Sequence, residues 1–297
     1  MDILKKTGRM ATGLFMMSCA TLLLAGCSGG GSDEPYVEPE PVVPPVLTLN
    51  TPNYMGGTPV QQVRYMGAFD KVYRWAFQYQ NGQLTEATSW RLTDGLTTVN
   101  DHDAAHYVFG YQPSTIEVTT SGTAAPVVLD IKDKLLRSAR SGNATYSFTY
   151  SPDGRLLAWD VTYQNSGFNA ETTKGAAGAL TWDAQGDLVE IVYTPSMDAP
   201  TQRHIYALTY SDADNVNGLM PERCSRALGC EGAEYMYYMG LLGKSSRHLP
   251  SRLTITDSDT PEAPLTCSFR YFPTNGTDVT RCEYGEVGNV VIVEYNY

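Results

Sequence analysis

Aromatic residues at alternate positions dominate the hydrophobic pattern of this chain, most clearly at residues 146–163. There Tyr146, Phe148 and Tyr150 alternate with serine and threonine, and an apolar alternation resumes at Leu157. A period of two places every second side chain on one face of a β-strand. The intervening Ser-Pro-Asp-Gly favours a tight reversal, because proline presets one backbone angle and glycine tolerates a positive φ. The stretch therefore predicts a β-hairpin.

Weaker copies of this hairpin recur along the chain, each with an aromatic residue, a short turn and an aliphatic residue. They lie at 79–84, 111–116, 182–188, 210–216 and 271–279. A loose period of roughly 30 residues indicates hairpins in series. About fourteen strands are expected, within 62–91 and at 106–111, 115–120, 126–131, 146–163, 178–184, 187–194, 204–211, 251–256, 265–272, 279–285 and 289–296.

Residues 217–250 interrupt the series and contain the best helix candidate, residues 231–242. Tyr235, Met239 and Leu242 share one face at helical spacing. The predicted fold is therefore all-β. It is an antiparallel meander of serial hairpins that forms a strongly curved, partly open barrel, with one helix packed in the concavity.

The N-terminus combines three basic residues with an apolar stretch at 11–24 that is short for a membrane span. The following Leu24-Ala-Gly-Cys27 resembles a bacterial lipoprotein signal. That resemblance implies cleavage before Cys27 and acylation of this residue. The alternative is an ordinary secretory signal with an incidental cysteine.

Three segments follow from this interpretation: a signal peptide with lipobox at 1–27, a tether at 28–60 and a single β domain at 61–297. The tether is rich in Gly, Pro and Glu, so it cannot bury a core and is expected to be disordered. Asp33 and Glu34 resemble the acidic export tag of Bacteroidetes surface lipoproteins, which implies the cell surface; the alternative is a solvated linker. The expected location is the outer membrane, with the lipid as the only attachment.

The charge balance excludes some partners. The chain has 21 basic and 32 acidic residues and a net charge of −11. Such a surface repels nucleic acid and anionic lipid headgroups. We therefore expect no nucleic-acid partner.

Four cysteines remain after the signal cysteine Cys19 and the lipid-bearing Cys27 are set aside: Cys224, Cys230, Cys267 and Cys282. An even number in an exported chain favours disulfides. Cys267 and Cys282 fall on opposite arms of one predicted hairpin, so they are expected to face each other, and the other two would close a small loop. The alternative, a four-cysteine zinc site, lacks any Cys-x-x-Cys spacing. No metal or cofactor is predicted.

Two further stretches carry possible ligands. His102 and His106, with neighbouring aspartates, form a possible metal cluster, but a polar loop before the strand that His106 starts is the simpler interpretation, because no third and fourth ligands can be identified. Asp212, Asp214 and Asn217 form an imperfect calcium loop that lacks the glutamate at its twelfth position, so a turn is the simpler interpretation. No catalytic residue is predicted, because no nucleophile, zincin or phosphate-loop motif occurs.

The segment 239–250 (Met-Gly-Leu-Leu-Gly-Lys-Ser-Ser-Arg-His-Leu-Pro) and the Tyr-x-x-Asp-Gly-Arg-Leu type of turn resemble an uncharacterised family of Bacteroidetes lipoproteins. The resemblance covers roughly 65–297 and implies a porin-like half-barrel without an assigned activity. Residues 291–297 also resemble the terminal strand of an outer-membrane barrel, but the predicted strands are short and polar on one face.

The leading functional hypothesis is a lipid-anchored surface lipoprotein that binds a glycan or an envelope partner without catalysis. Aromatic residues suit sugar stacking, although the alternation places most of them on the buried face. The alternatives are a glycan-acting hydrolase and an envelope scaffold that pairs through edge strands.

Overall fold

The fold was examined in a computed structural model that describes residues 57–67, 72–92, 104–123, 125–165, 172–273, 278–286 and 289–297. All of these belong to one compact unit, Pro44–Tyr297. The described residues form sixteen strands and one short helix. The first eight strands are β1 Gln62–Gly67, β2 Val72–Gln80, β3 Gln83–Leu92, β4 Ala104–Tyr111, β5 Thr115–Thr120, β6 Val127–Lys132, β7 Leu135–Ser141 and β8 Ala144–Tyr150. The others are β9 Leu156–Gln164, β10 Thr172–Trp182, β11 Leu188–Thr194, β12 His204–Asp214, β13 His248–Asp257, β14 Leu265–Pro273, β15 Val279–Glu286 and β16 Asn289–Asn296, and the helix, α1 Tyr235–Tyr238, lies between β12 and β13.

The strands form a closed antiparallel barrel in which each strand pairs with its neighbours in sequence. The ring is completed where β1 pairs with β16, with Val63 opposite Tyr295 and Gly67 opposite Val291. The all-β meander is thus confirmed, but the barrel is closed rather than partly open. Closure satisfies the backbone groups of both terminal strands, which an open sheet would leave as free edges.

Two strands were missing from the predicted set of about fourteen. One is β1, which has little alternation but closes the ring. The other is β7, which follows β6 through a two-residue turn at Asp133 and Lys134, with φ of 55° and 64°. Two consecutive positive φ values define the mirror-image turn that fits strand twist, and Asn-Gly is its usual signal. The Asp-Lys pair lacks this signal, so the sequence did not indicate a hairpin here.

The hairpin predicted at residues 146–163 is confirmed as β8 and β9. Phe148 lies opposite Trp159, and the register shifts by one residue beside Tyr150. Gly154 has a φ of 87°, and Ser151 accepts a hydrogen bond from the amide of Arg155 at 3.0 Å. The bulge and the glycine are the features that the Ser-Pro-Asp-Gly sequence predicts.

The two faces of the barrel wall differ sharply. Apolar and aromatic side chains point inwards and form one core cluster, including Trp75, Phe77, Ile116, Trp159 and Leu253. The outward positions of the same strands carry exposed charged residues, among them Glu86, Glu117, Arg140, Asp160, Arg252 and Arg270. The alternation in the sequence therefore separates a filled interior from a polar exterior.

The interior is occupied by residues 215–247, here called the plug, which connect β12 to β13. A sixteen-stranded barrel is wide enough to leave a channel, but the plug supplies buried Leu219, Met220, Leu228, Leu241 and others to fill it. The helix predicted at 231–242 is much shorter in the structure. Only Tyr235–Tyr238 is α-helical, and all four residues are buried. Gly240 and Gly243, with φ of 76° and 84°, replace its predicted continuation with turns. No helix among the described residues has the length and apolarity needed to cross a bilayer.

The alternation of strand direction gives the barrel two distinct ends. The turn end carries the links from even-numbered strands to the next strand, most of which are short, such as Asn81-Gly82 and Asp133-Lys134. The loop end carries the links from odd-numbered strands, which include 93–103 and 195–203. Both the plug and the chain that precedes β1 join the barrel at the turn end, because β12 finishes there and β1 starts there.

Candidate functional site

Two cavities open at the loop end, one on each side of the plug segment 222–234. The first, here called the glutamate cavity, has a volume of about 400 Å³ and lies between the plug and strands β1–β4, β15 and β16. The second, here called the ring cleft, has a volume of about 480 Å³ and lies between the plug and strands β8–β11. Glu231 lines both of them.

Glu222 lies at the inner wall of the glutamate cavity and is almost completely buried, with 2% of its surface exposed. The hydroxyl group of Tyr295 donates a hydrogen bond to its Oε1 at 2.6 Å. Burial penalises the charged carboxylate and raises its pKa from 4.5 to about 7, although the Tyr295 hydrogen bond opposes this shift. The side chain can therefore both hold and release a proton near neutral pH.

Glu234 is the second acid of this cavity and immediately precedes α1. Burial also raises its pKa from 4.5 to about 7, against backbone hydrogen bonds that favour the carboxylate. Its Oε2 atom is buried and has no hydrogen-bond partner among the described residues. A buried carboxylate oxygen without a donor is costly.

The opposite wall of the glutamate cavity contains Arg223, whose backbone has a left-handed φ of 64°. Its Nη1 donates a hydrogen bond to Sγ of Cys267 at 3.0 Å. No ion pair joins Arg223 to Glu222 or Glu234 in the described part of the chain. The cation of this cavity is thus engaged with a thiol and forms no ion pair with either acid.

The ring cleft combines aromatic and charged side chains. Trp159 and Tyr193 stack with their centroids 6.1 Å apart, and the guanidinium of Arg226 lies 5.5 Å from the Tyr193 ring centroid. Arg226 also donates a hydrogen bond to the Tyr193 hydroxyl at 3.0 Å. Its pKa is raised by that hydrogen bond, by the neighbouring tyrosine and by Glu231. Trp159 and Tyr193 are themselves almost completely buried, so this stack forms the floor of the cleft and holds Arg226 beside it.

Further polar groups surround these rings. Tyr146, Tyr163, Lys174 and Asp198 also line the cleft, and Lys174 and Asp198 are exposed. Trp159 is fixed by its indole N–H, which donates to the carbonyl oxygen of Ala227 in the plug at 2.7 Å. The ring positions are thus set by both the barrel wall and the plug.

The turn end has a different polar cluster. Asp187, 2% exposed, accepts hydrogen bonds from the backbone N–H of His248 at 2.8 Å and from its Nδ1 at 2.7 Å. Ser246 Oγ is bonded to the Tyr210 hydroxyl at 2.9 Å and accepts from the amide of Leu188 at 3.2 Å. Since Ser246 contacts neither His248 nor Asp187 through these bonds, the cluster holds the end of the plug rather than forming a catalytic triad.

The predicted disulfides are not formed in the structure: Cys224, Cys230, Cys267 and Cys282 are all free, buried thiols. The reason is the register of the β14–β15 hairpin. Cys282 lies opposite Tyr271, whereas the prediction placed it opposite Cys267. The hairpin reverses about two residues later than the midpoint of the two cysteines, which moves them apart along the strands.

The remaining predicted site residues divide into two groups. Cys27, Asp33, Glu34 and His102 lie outside the described residues, so the lipid anchor stays a prediction. His106 is exposed on β4, with Nδ1 3.2 Å from the Thr88 hydroxyl. No group of three or more potential metal ligands occurs within the described ranges.

The possible calcium loop has a clear structural role for one of its amides. Asn217 donates to the carboxylate of Asp278 at 2.7 Å and to the carbonyl of Thr58 at 3.3 Å, and its Oδ1 accepts from the amide of Val279 at 3.1 Å. This side chain therefore ties the plug to the chain before β1 and to β15. Asp212 and Asp214 are exposed at the end of β12.

Glu222 and Glu234 were missed by the sequence analysis, as was the Asp187–His248 pair. A weak signal exists for the two glutamates, because each stands in an otherwise apolar context, Leu-Met-Pro-Glu and Ala-Glu-Tyr-Met. Acidic residues are rarely buried without a partner, so their presence in a segment that must be buried indicates a possible functional role. The sequence did not reveal that the plug would bring them to one cavity.

Comparison with known proteins supports the fold. No protein-family model matches the chain, and no curated protein matches it. A porin-like protein from Bacteroides uniformis is similar in structure, with a TM-score of 0.61, 16% identity, and coverage of 84% of this chain and 99% of that one. A porin-like protein from Bacteroides vulgatus has a TM-score of 0.53 and 13% identity, covering 81% of this chain and 99% of that one. The porin-like fold is thus confirmed, while membership of a lipoprotein family stays a prediction.

Proposed function

We propose that this protein is a lipid-anchored binding protein of the outer membrane that recognises glycans through the ring cleft. The observation that carries this proposal is the arrangement of the partly exposed Tyr146 and Tyr163 beside the exposed Lys174 and Asp198 at an open end of the barrel. Sugars present apolar C–H faces and hydroxyl groups, so a site with rings and nearby charged groups suits them. The two porin-like relatives support an outer-membrane location for the proposal.

The polar outer surface of the barrel supports a protein that is anchored to the membrane rather than one whose barrel spans it. A membrane-spanning barrel carries an apolar band on its outer face. Here charged residues such as Glu117, Asp160 and Arg252 are exposed on that face within their strands. The described residues include only four exposed large hydrophobic side chains: Val108, Leu157, Met197 and Val290. The barrel is therefore proposed to stand in water, held by the acyl chains of Cys27.

The connection to the anchor also supports this arrangement. The described chain begins at Gly57, whose amide donates to the carbonyl of Val216 at 3.2 Å, at the turn end. Gln61 likewise donates to Asn296 at 2.8 Å. The tether thus joins the barrel at the end opposite the ring cleft, which leaves the cleft open to large ligands.

A glycan array with purified protein tests recognition. Wild-type protein is expected to bind a subset of bacterial or dietary glycans, and Asp198→Ala and Lys174→Ala are expected to lower the signal about tenfold, since each removes a polar contact. Asp133→Ala, at the turn end and exposed, is the matched control and should leave binding unchanged. Absence of any glycan ligand, or equal loss in the control, would contradict the proposal.

The anchor has its own test. Cys27→Ser is expected to abolish fatty-acid labelling and to release the protein from membranes. Continued labelling would overturn the anchor without affecting the glycan proposal. Protease treatment of intact cells would then show whether the barrel faces outwards.

The two alternatives fare differently. A scaffold that pairs through edge strands is disfavoured. Every described strand of the closed barrel already has two neighbours, so none of them offers a free edge. Hydrolysis retains one favourable observation, namely two buried acids in a single cavity. Mass spectrometry of glycans incubated with the protein would detect it, and unaltered glycans would exclude hydrolysis of those substrates.

A further inference from the structure

The glutamate cavity has properties that glycan binding in the ring cleft does not explain. Glu222 is buried and Glu234 is partly buried, and neither forms an ion pair within the described part of the chain. The Oε2 atom of Glu234 has no donor. Native structures rarely leave a buried carboxylate oxygen unsatisfied, because the lost hydration costs free energy. The arrangement indicates that an external group completes the site.

Aromatic rings form the rest of the wall. Tyr65, Trp75, Tyr107 and Tyr284 line the cavity, and the Trp75 and Tyr107 rings lie 5.6 Å apart with a tilt of 31°. Ring faces carry negative electrostatic potential and attract cations within about 6 Å of the centroid. The rings and the carboxylates of this cavity therefore both favour a positively charged ligand.

We propose that the glutamate cavity binds a small organic ammonium ion. The ligand nitrogen would lie in the cavity near the Glu234 carboxylate and the partly exposed ring of Tyr107, and Glu222 would add negative charge from the inner wall. The volume of about 400 Å³ suits a small molecule and not a polymer segment. This site and its ligand class are distinct from those of the ring cleft.

The position of Arg223 is consistent with this assignment. Its guanidinium is engaged with Cys267 on β14, whereas Trp75 and Tyr107 belong to β2 and β4 on the other side. An anionic ligand at Arg223 would face two glutamates, so a cation is the better match for the cavity as a whole. The same geometry allows a cation with a negative group at its far end.

Calorimetry with choline and its neutral isostere 3,3-dimethylbutan-1-ol tests the proposal at pH 8, where both acids are largely ionised. The two probes share shape and differ in charge. Wild-type protein is expected to bind choline at least about tenfold more tightly than the isostere, because cation–ring and charge contacts act only on choline. Glu234→Gln and Glu222→Gln should each reduce this preference, Glu234→Gln to near unity. Glu117→Gln, an exposed acid on the outer wall, is the control and should retain it.

Three outcomes would overturn the proposal: equal affinity for the two probes, no heat from choline up to ~10 mM, or a preference that survives Glu234→Gln. The probe comparison uses the native protein, so it decides the question even if a variant fails to fold. Asp198→Ala, in the ring cleft, should leave choline binding unchanged. Failure of glycan binding and failure of ammonium binding are therefore separate results.

Discussion

The plug reaches both ends of the barrel, but it contacts the barrel wall differently at each end. At the turn end the plug bonds to the hairpins: Lys244 donates to Gly154 at 3.0 Å and Arg247 to Gly186 at 3.3 Å. At the loop end the plug instead borders two cavities and leaves Glu234 Oε2 without a partner. An end where the plug is hydrogen-bonded to the hairpins, opposite an end where it borders two cavities, indicates that stability and recognition are divided between the two ends.

Glycine substitution gives the sharpest test of this difference. Gly243→Ala and Gly232→Ala both place a side chain at a positive φ, 84° and 76°. At Gly243 the new methyl group would also collide with the carbonyl oxygen of Gly154, whereas nothing lies near that position at Gly232. We expect Gly243→Ala to lower the free energy of unfolding by about 3 kcal/mol and Gly232→Ala by about 1 kcal/mol. Urea denaturation measures both, and equal losses would show that the turn end is not tightly sealed.

Removal of a carboxylate probes the same contrast. Asp187→Ala leaves the buried amide of His248 without its acceptor, and a cost of about 2–3 kcal/mol is expected. Asp198→Ala, exposed at the loop end, should change stability by less than about 0.5 kcal/mol. Thermal or chemical denaturation compares the two, and similar values would contradict the proposed division.

The two cavity glutamates should make the loop end a source of pH dependence. In the folded protein their pKa is raised from 4.5 to about 7, so the folded state binds more protons than the unfolded state between these values. Their contribution to stability is therefore fully present below pH 4.5 and is lost as pH rises through about 7. The free energy of unfolding of Glu222→Gln, relative to that of the wild type, should therefore be about 2 kcal/mol higher at pH 8 than at pH 4.5. A stability difference independent of pH would show that Glu222 is not desolvated.

The smallest expected change concerns the cysteines. Burial raises the pKa of the Cys224, Cys230 and Cys282 thiols, so none should react with Ellman's reagent in the folded protein. Protein in which Cys19 and Cys27 are replaced should release four thiols on denaturation without reductant. Fewer than four would show that disulfides form after all.

Local alternation was sufficient to predict most of the wall. Rings at every second residue, as at Tyr146 and Phe148, identify both strand and inward face, because one face must be buried. The position of β7 was hidden by an unusual turn pair, and closure was hidden because β1 and β16 meet over more than 220 residues of sequence. Such long-range pairing leaves no local trace.

The site was much less predictable. The plug was recognised only as an interruption with a helix, and its turns at Gly240 and Gly243 depend on contacts with the barrel wall. Glu222 and Glu234 acquire their properties from burial next to Tyr295 and Tyr65, which lie far away in sequence. Proximity of this kind is set by tertiary packing, so residue types and spacing alone could not indicate it.

The pairing of β1 with β16 sets the order in which this protein can mature. Strand β16, Asn289–Asn296, follows all the other described strands in the sequence, yet the ring cannot close without it. Until it is in place, both margins of the sheet expose unpaired amides and carbonyls to other chains. A chain shortened at its C-terminus would leave the margin formed by Gln62–Gly67 unpaired, and we expect it to be prone to aggregate.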